Sequence, residues 1–211
     1  MQPAERGQTV VAVIDDDRNI RDAIESLLQS VGLPVQSFGS VTEFLSGVRS
    51  VDLGCLVLDV RLPGKSGLEF YDDLIKADIR LPVVFISGHA DVPMSVRAMK
   101  AGAVEFLTKP VHHQDLLDAI QLAIEQDRAR RDAEKSTAII RASFEELTYR
   151  EREVMALVVA GHPNKLIAAD MAISMTTVKL HRGQVMRKMR AASLAELVRM
   201  AEILKLPRPK V

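Results

Sequence analysis

From Thr9 to Ile124, short apolar runs alternate with stretches whose apolar positions recur at helical spacing. The runs VVAVI (Val10 to Ile14), PVQSF (Pro34 to Phe38), CLVLD (Cys55 to Asp59), PVVFIS (Pro82 to Ser87) and AVEFLT (Ala103 to Thr108) predict five strands, the second of them weak. Between them, Ile20, Ile24, Leu27, Leu28 and Val31 share one helical face, as do Leu68, Tyr71, Leu74 and Ile75. Val96 and Met99 mark a further helix, and Leu116, Leu117, Ile120 and Ile124 the last one. Ser40 is placed to cap a short helix after the second strand, and Asp17 stands where an acidic group favours a helix N-terminus. Strands alternating with helices imply parallel βαβ units in an open α/β sheet, which binds ligands at the carboxyl ends of its strands.

The pattern then changes. QDRARRDAEK (Gln126 to Lys135) is highly charged, has no apolar stripe and contains neither Gly nor Pro. It predicts a solvated continuation of the last helix that serves as a linker. From Phe144 onward only helical spacing is present. Leu147-Thr148 precedes one helix, closed by Gly161 with Pro163 behind it. Asn164 is read as the cap of a short helix from Lys165 to Met171, Ser174 as the cap of a third running to about Arg190, and Ser193 as the cap of a fourth. Four short helices of this kind predict a helix-turn-helix domain. The expected division is a domain over residues 9–125, a helical linker over 126–143 and a small all-α domain over 144–211.

Charge supports the division. The chain balances 28 Lys and Arg against 28 Asp and Glu, but residues 145–211 hold twelve basic and seven acidic side chains. A basic C-terminal domain favours a phosphate backbone through counterion release. The single cysteine, Cys55, excludes an internal disulfide and a cysteine-based zinc site, and its apolar strand predicts a core residue. With no long apolar run and no signal-peptide pattern, the chain is expected to be cytoplasmic.

Candidate chemistry gathers at predicted strand ends. Asp15, Asp16 and Asp17 follow the first strand and Asp59 closes the third. If these strands are neighbours, Asp15 or Asp16 faces Asp59, and packed carboxylates repel. A hard cation such as Mg2+ relieves that repulsion. Ser87 ends the fourth strand with a hydroxyl, and Lys109 follows the fifth with a cation, just before Pro110. An aspartate nucleophile with these neighbours suits phosphoryl transfer, which needs positioning and charge neutralisation above all.

The basic domain has its own candidate surface. Between Ser174 and Arg190 stand Lys179, Arg182, Arg187, Lys188 and Arg190, with no acidic residue. At ~100° per residue, Val178, Val185 and Met189 share an inward face. Thr176, Lys179, Leu180, Gly183, Gln184, Arg187 and Arg190 point the other way, as a major-groove surface requires. Arg182 and Lys188 flank the seam and are expected to meet phosphates.

The blocks VIDDD, LDVRLPGKSG, ISGH and FLTKP resemble, in order and spacing, those of CheY-like receiver domains. The resemblance implies a doubly wound five-stranded parallel sheet, with Asp59 as phosphoacceptor and Asp15 and Asp16 as the metal-binding pair. It further implies the main-chain carbonyl of Arg61 as another ligand, Ser87 and Lys109 as phosphate partners, and Phe106 as the switch aromatic. The stretch GHADVPMSVRAMKAGAVEFLTKP is similar to the FixJ subgroup. LTYREREVMALVVAGHPNKLIAADMAISMTTVKLHRGQVMRKM resembles the LuxR-type helix-turn-helix of NarL/FixJ regulators. In that likeness TVKLH, with Thr177, falls on the recognition helix, and base contacts fall on Lys179, Leu180 and Gly183, the last without a side chain. Asn164 and Lys165 match the opening of the scaffold helix, and His181 is read as packing.

The implied function is a response regulator. A sensor histidine kinase phosphorylates Asp59, a homodimer forms, and double-stranded DNA is bound to control transcription, with RNA polymerase as a further partner. The protein is not expected to be a dedicated enzyme, because the receiver catalyses only its own phosphotransfer and slow hydrolysis. An alternative is a regulator independent of phosphorylation, working as an apo-dimer or under another ligand. His89 beside the pocket either tunes hydrolysis or belongs simply to its loop, and His112 and His113 are read as surface residues opening the last helix. A haloacid-dehalogenase-type phosphatase fits poorly, since Asp59-Val60-Arg61 lacks its second acid and Asp15-Asp16-Asp17-Arg18-Asn19 lacks its Thr or Val. No G-x-G-x-x-G follows the first strand, and no aromatic lies in the basic helix to stack single-stranded bases.

Overall fold

A computed structural model describes residues 9–48, 53–88 and 91–206. The chain divides into two compact units that meet between Arg130 and Arg131.

The first unit contains β1 (Val10–Ile14), α1 (Arg18–Ser30), β2 (Val35–Phe38), α2 (Val41–Gly47), β3 (Leu53–Asp59), α3 (Gly67–Lys76), β4 (Val83–Ser87), α4 (Val92–Lys100) and β5 (Glu105–Thr108). All pairings are parallel, in the order β2-β1-β3-β4-β5. The period of two in the strands feeds two cores. Val11, Val13, Cys55, Val57, Val84 and Ile86 pack with Ile24 and Leu28 of α1 and with Leu116 and Ile120 further along. Ala12, Ile14, Leu56, Leu58 and Phe85 pack with Phe44 of α2, Phe70 and Leu74 of α3 and Ala98 of α4. Asp17 and Ser40 cap α1 and α2 through their side chains, as expected, and Ser66 closes a capping box with Glu69 on α3.

One expectation, for the stretch after Ile124, needs correction. Val96 and Met99 mark α4 as expected; they are 43% and 42% exposed, and Ala98 is the residue that α4 buries. The helix rests on the sheet through a small residue, and its apolar stripe points to solvent. The stretch after Ile124 is helical as expected, within a single α5 (His113–Glu145), but it is not uniformly solvated. Asp127 is buried and ion-paired with Arg130. It continues the helical stripe of Leu116, Ile120 and Ala123, so the face stays buried while its chemistry turns from apolar to charged. His112 and His113 lie exposed where α5 opens, and Cys55 is fully buried. Among the described residues no helix is long and apolar enough to cross a membrane.

The second unit holds α6 (Tyr149–Val159), α7 (Asn164–Asp170), α8 (Met175–Lys188) and α9 (Leu194–Ile203). Thr148, Ser174 and Ser193 cap α6, α8 and α9 through their side chains. Gly161 takes φ +89° after α6, a conformation a side chain would disfavour. Val154, Met155, Ile167, Val178, Val185, Met189 and Leu197 form the core. The cap assigned to Asn164 is not made: Pro163 occupies the cap position without a side-chain bond, and Asn164 is the first helical residue. Its side-chain oxygen instead accepts a hydrogen bond from the Arg182 guanidinium at 2.6 Å.

Candidate functional site

The β1–β3 pairing sets Ile14 beside Leu58, so the residues that follow, Asp15 and Asp59, emerge together at the carboxyl edge. The β4–β5 pairing sets Ser87 beside Thr108, and the Lys109 N–H donates to the Ser87 carbonyl at 2.9 Å. Four strand ends thus deliver Asp15, Asp59, Ser87 and Lys109 to one place. Asp15, Asp59 and Ser87 are buried and Asp16 is exposed.

Lys109 organises the pocket. Its Nζ lies 2.6 Å from Asp15 Oδ2 and 2.7 Å from Asp59 Oδ2. Asp15 Oδ1 accepts from the Asp17 N–H at 2.9 Å, and Asp59 Oδ1 from the Arg61 N–H at 3.1 Å. Burial pushes the Asp15 carboxyl above its ordinary range, although the Lys109 hydrogen bond opposes the shift. Burial works against the charged Lys109 amine too. Its hydrogen bonds to Asp15 and Asp59 outweigh that penalty and hold its pKa above the ordinary value. Ligand oxygens of Asp15, Asp16 and Asp59 lie within 4.8 Å of one another. Three carboxylates against one ammonium leave excess negative charge on an all-oxygen donor set, which fits a hard divalent cation.

Two supporting residues were not singled out from the sequence. The Arg21 guanidinium reaches back from α1 to the carbonyls of Asp15 (2.7 Å) and Asp16 (3.1 Å) and pins the acidic loop. At Gly67 a Cβ would stand 2.2 Å from the Asp59 carbonyl oxygen, so only glycine lets the start of α3 close on the end of β3. The SG of LDVRLPGKSG was the available signal, since a glycine at a helix start marks close backbone approach. Phe106 is half-buried against the core, its ring centroid 6.2 Å from that of Phe85. His89 lies outside the described residues.

In the second unit, Val178, Val185 and Met189 are buried, while Thr176, Lys179, Leu180, Gly183 and Arg187 are exposed and Thr177 and Gln184 half-buried. Arg190 lies beyond the end of α8 with φ +56°, so it is not on the helical face assigned to it. Arg182 and Lys188, expected to meet phosphates, also make bonds within the unit. Lys188 Nζ is 2.7 Å from buried Glu151 and 3.2 Å from the Glu146 carbonyl, and Arg182 is bound to Asn164. Both cations hold α8 against neighbouring segments. Burial raises the Glu151 pKa, but Lys188 and the Thr148 cap outweigh it, and the carboxyl stands below its ordinary range.

Comparison with known proteins finds a family for each of the two units. Residues 11–121 match the response regulator receiver domain, and residues 145–201 match the bacterial regulatory proteins of the luxR family. The chain belongs to the response regulators that join a receiver to a LuxR-type DNA-binding domain, which explains the acidic pocket and the basic helix together. It is 49% identical to nodulation protein W of Bradyrhizobium diazoefficiens over 93% of this chain and 87% of that protein. It is 43% identical to the transcriptional regulatory protein FixJ of Rhizobium meliloti, over 90% and 94% of the two chains. The structure of the response regulator StyR aligns with a TM-score of 0.83 at 43% identity, covering 92% of this chain and 98% of that one.

Proposed function

We propose that Asp59 accepts a phosphoryl group from a sensor histidine kinase, and that this modification promotes a homodimer that binds double-stranded DNA and controls transcription together with RNA polymerase. The observation that carries this reading is the Lys109 ammonium shared between Asp15 and Asp59 in a pocket of three convergent carboxylates. A carboxylate oxygen of Asp59 attacks phosphorus, the P–N bond to the kinase histidine breaks with its electron pair staying on that ring nitrogen, and the imidazole, already protonated on its other nitrogen, leaves neutral. Asp15, Asp16, Asp59 and the Arg61 carbonyl would hold Mg2+, which when bound supplies positive charge beside the phosphoryl oxygens. Lys109 exchanges its bond to Asp59 for one to a phosphoryl oxygen, and the Ser87 hydroxyl donates to another. Phe106 then packs inward, coupling the new charge to the face of α4 and β5. The chain catalyses only this transfer and the slow hydrolysis in which water takes the phosphoryl group as inorganic phosphate and frees the Asp59 carboxylate.

The α4 surface supports the dimer. Val92, Val96 and Met99 recur on one helical face, and Val92 is 75% exposed. Two joined basic units then bind two half-sites with the advantage of effective concentration.

The test compares wild type and Asp59→Asn with a small-molecule phosphodonor and Mg2+, following acid-labile label, sedimentation and DNA affinity. Wild type is expected to take up label, double in mass and bind DNA more tightly, and the variant to do none of these. Equal mass and affinity in both proteins, with or without donor, would refute phosphate control and leave the phosphorylation-independent regulator.

A further inference from the structure

We infer that Leu180 and Gly183 form an apolar notch on α8 that reads the 5-methyl group of a thymine in the major groove, and that this notch is a principal determinant of the sequence the protein selects. The inference rests on the DNA-binding reading of α8 and specifies what that helix recognises.

Leu180 is 61% exposed on a helix whose core contacts are made by Val178, Val185 and Met189. At ~100° per residue it stands almost opposite that seam, and Gly183 lies one turn further on, ~60° away. No acidic residue interrupts the helix, and Lys179 and Arg187 border the two positions. An exposed leucine at the centre of a cationic surface contributes nothing to phosphate attraction.

Gly183 has no internal reason to be glycine. A Cβ built there would meet nothing within 4 Å. Its φ is not among the positive values that favour glycine. Glycine is the least favourable residue inside a helix apart from proline, and alanine would fit here with better helix propensity. The missing side chain serves an approach from outside: it lowers the floor of the surface beside Leu180. The thymine methyl is the apolar feature that a base pair presents in the major groove. With Arg182 bound to Asn164 and Lys188 to Glu151, the long cations on the flanks are occupied in holding the helix. The outer stripe of Thr176, Leu180, Gly183 and Arg187 is left to face the bases.

The experiment uses the full chain with phosphodonor. Bound duplexes are selected from a random pool, and each thymine of the selected half-site is replaced in turn by deoxyuridine, which lacks only the methyl. Wild type is expected to lose about fourfold in affinity at one thymine per half-site, the loss corresponding to one buried methyl group. Leu180→Ala is expected to bind the thymine and uracil duplexes equally. Gly183→Ala is expected to melt at a higher temperature yet bind the selected site several-fold more weakly, with binding to a scrambled duplex unchanged. The proposal is overturned if no thymine is sensitive to the replacement, if the sensitivity survives in Leu180→Ala, or if Gly183→Ala binds the selected site as well as wild type. If wild type selects no sequence at all, the DNA-binding reading itself fails, an outcome distinct from selection without a methyl contact.

Discussion

Lys109 concentrates the electrostatics of the receiver in one side chain. It is the cation bonded to two buried carboxylates, so Lys109→Met leaves Asp15 and Asp59 without their shared partner. Removing one member of such a cluster costs about 3 kcal/mol. Chemical denaturation in magnesium-free buffer is expected to show that loss, and millimolar magnesium to restore part of it. Gly67→Ala acts sterically, through a Cβ driven against the Asp59 carbonyl. An overpacking cost of about 1–3 kcal/mol is expected, with slower phosphorylation of a displaced Asp59. Normal uptake of label by this variant would show that the start of α3 yields without moving the phosphoacceptor.

At the scale of elements, α8 depends on two polar ties. Lys188→Met is expected to destabilise the second unit by about 1–3 kcal/mol, because buried Glu151 loses its cation. The pH dependence has a definite sign. Glu151 titrates below its ordinary value of 4.5 in the folded protein, so its contribution is complete above that pH and is lost as the pH falls toward the folded value. Glu151→Gln is expected to remove that acid-side slope, read from denaturant midpoints over this range. The sequence pattern located all five strands, most clearly β1, β3 and β4, because parallel strands buried on both faces write continuous apolar runs; the partly buried edge strand β2 gave the weak signal. It also located Asp15, Asp16, Asp59, Ser87 and Lys109, which stand at or just past strand ends, but not Arg21 or Gly67, whose roles depend on backbone approach. It located α4 but not the direction of its stripe, because spacing alone does not say which way a stripe faces. It misread Asp127 because a charged residue on a buried stripe is indistinguishable from a solvated one until its partner, Arg130, is known. The ties of Lys188 and Arg182 were not legible for a related reason: their partners Glu151 and Asn164 are distant in sequence.

At the scale of the whole molecule, the exposed stripe of α4 is the surface proposed for association. Val96→Glu places a charge at its centre and lies outside the acidic pocket. With phosphodonor, this variant is expected to take up label normally and to sediment as a monomer, with DNA affinity reduced by one to two orders of magnitude through lost avidity, on the order of 10–100-fold. Undiminished dimerisation would move the interface elsewhere on the receiver.

The sheet order also has a mechanical consequence. β5 is the outermost strand on its side and, among the described residues, is laddered only to β4. Phe106, and Lys109 just beyond it, therefore ride on a margin of the sheet, where a shift breaks one row of bonds instead of two. Amide deuteration is expected to reach β5 long before β3, whose neighbours on either flank hold Asp59 still while the margin moves around it.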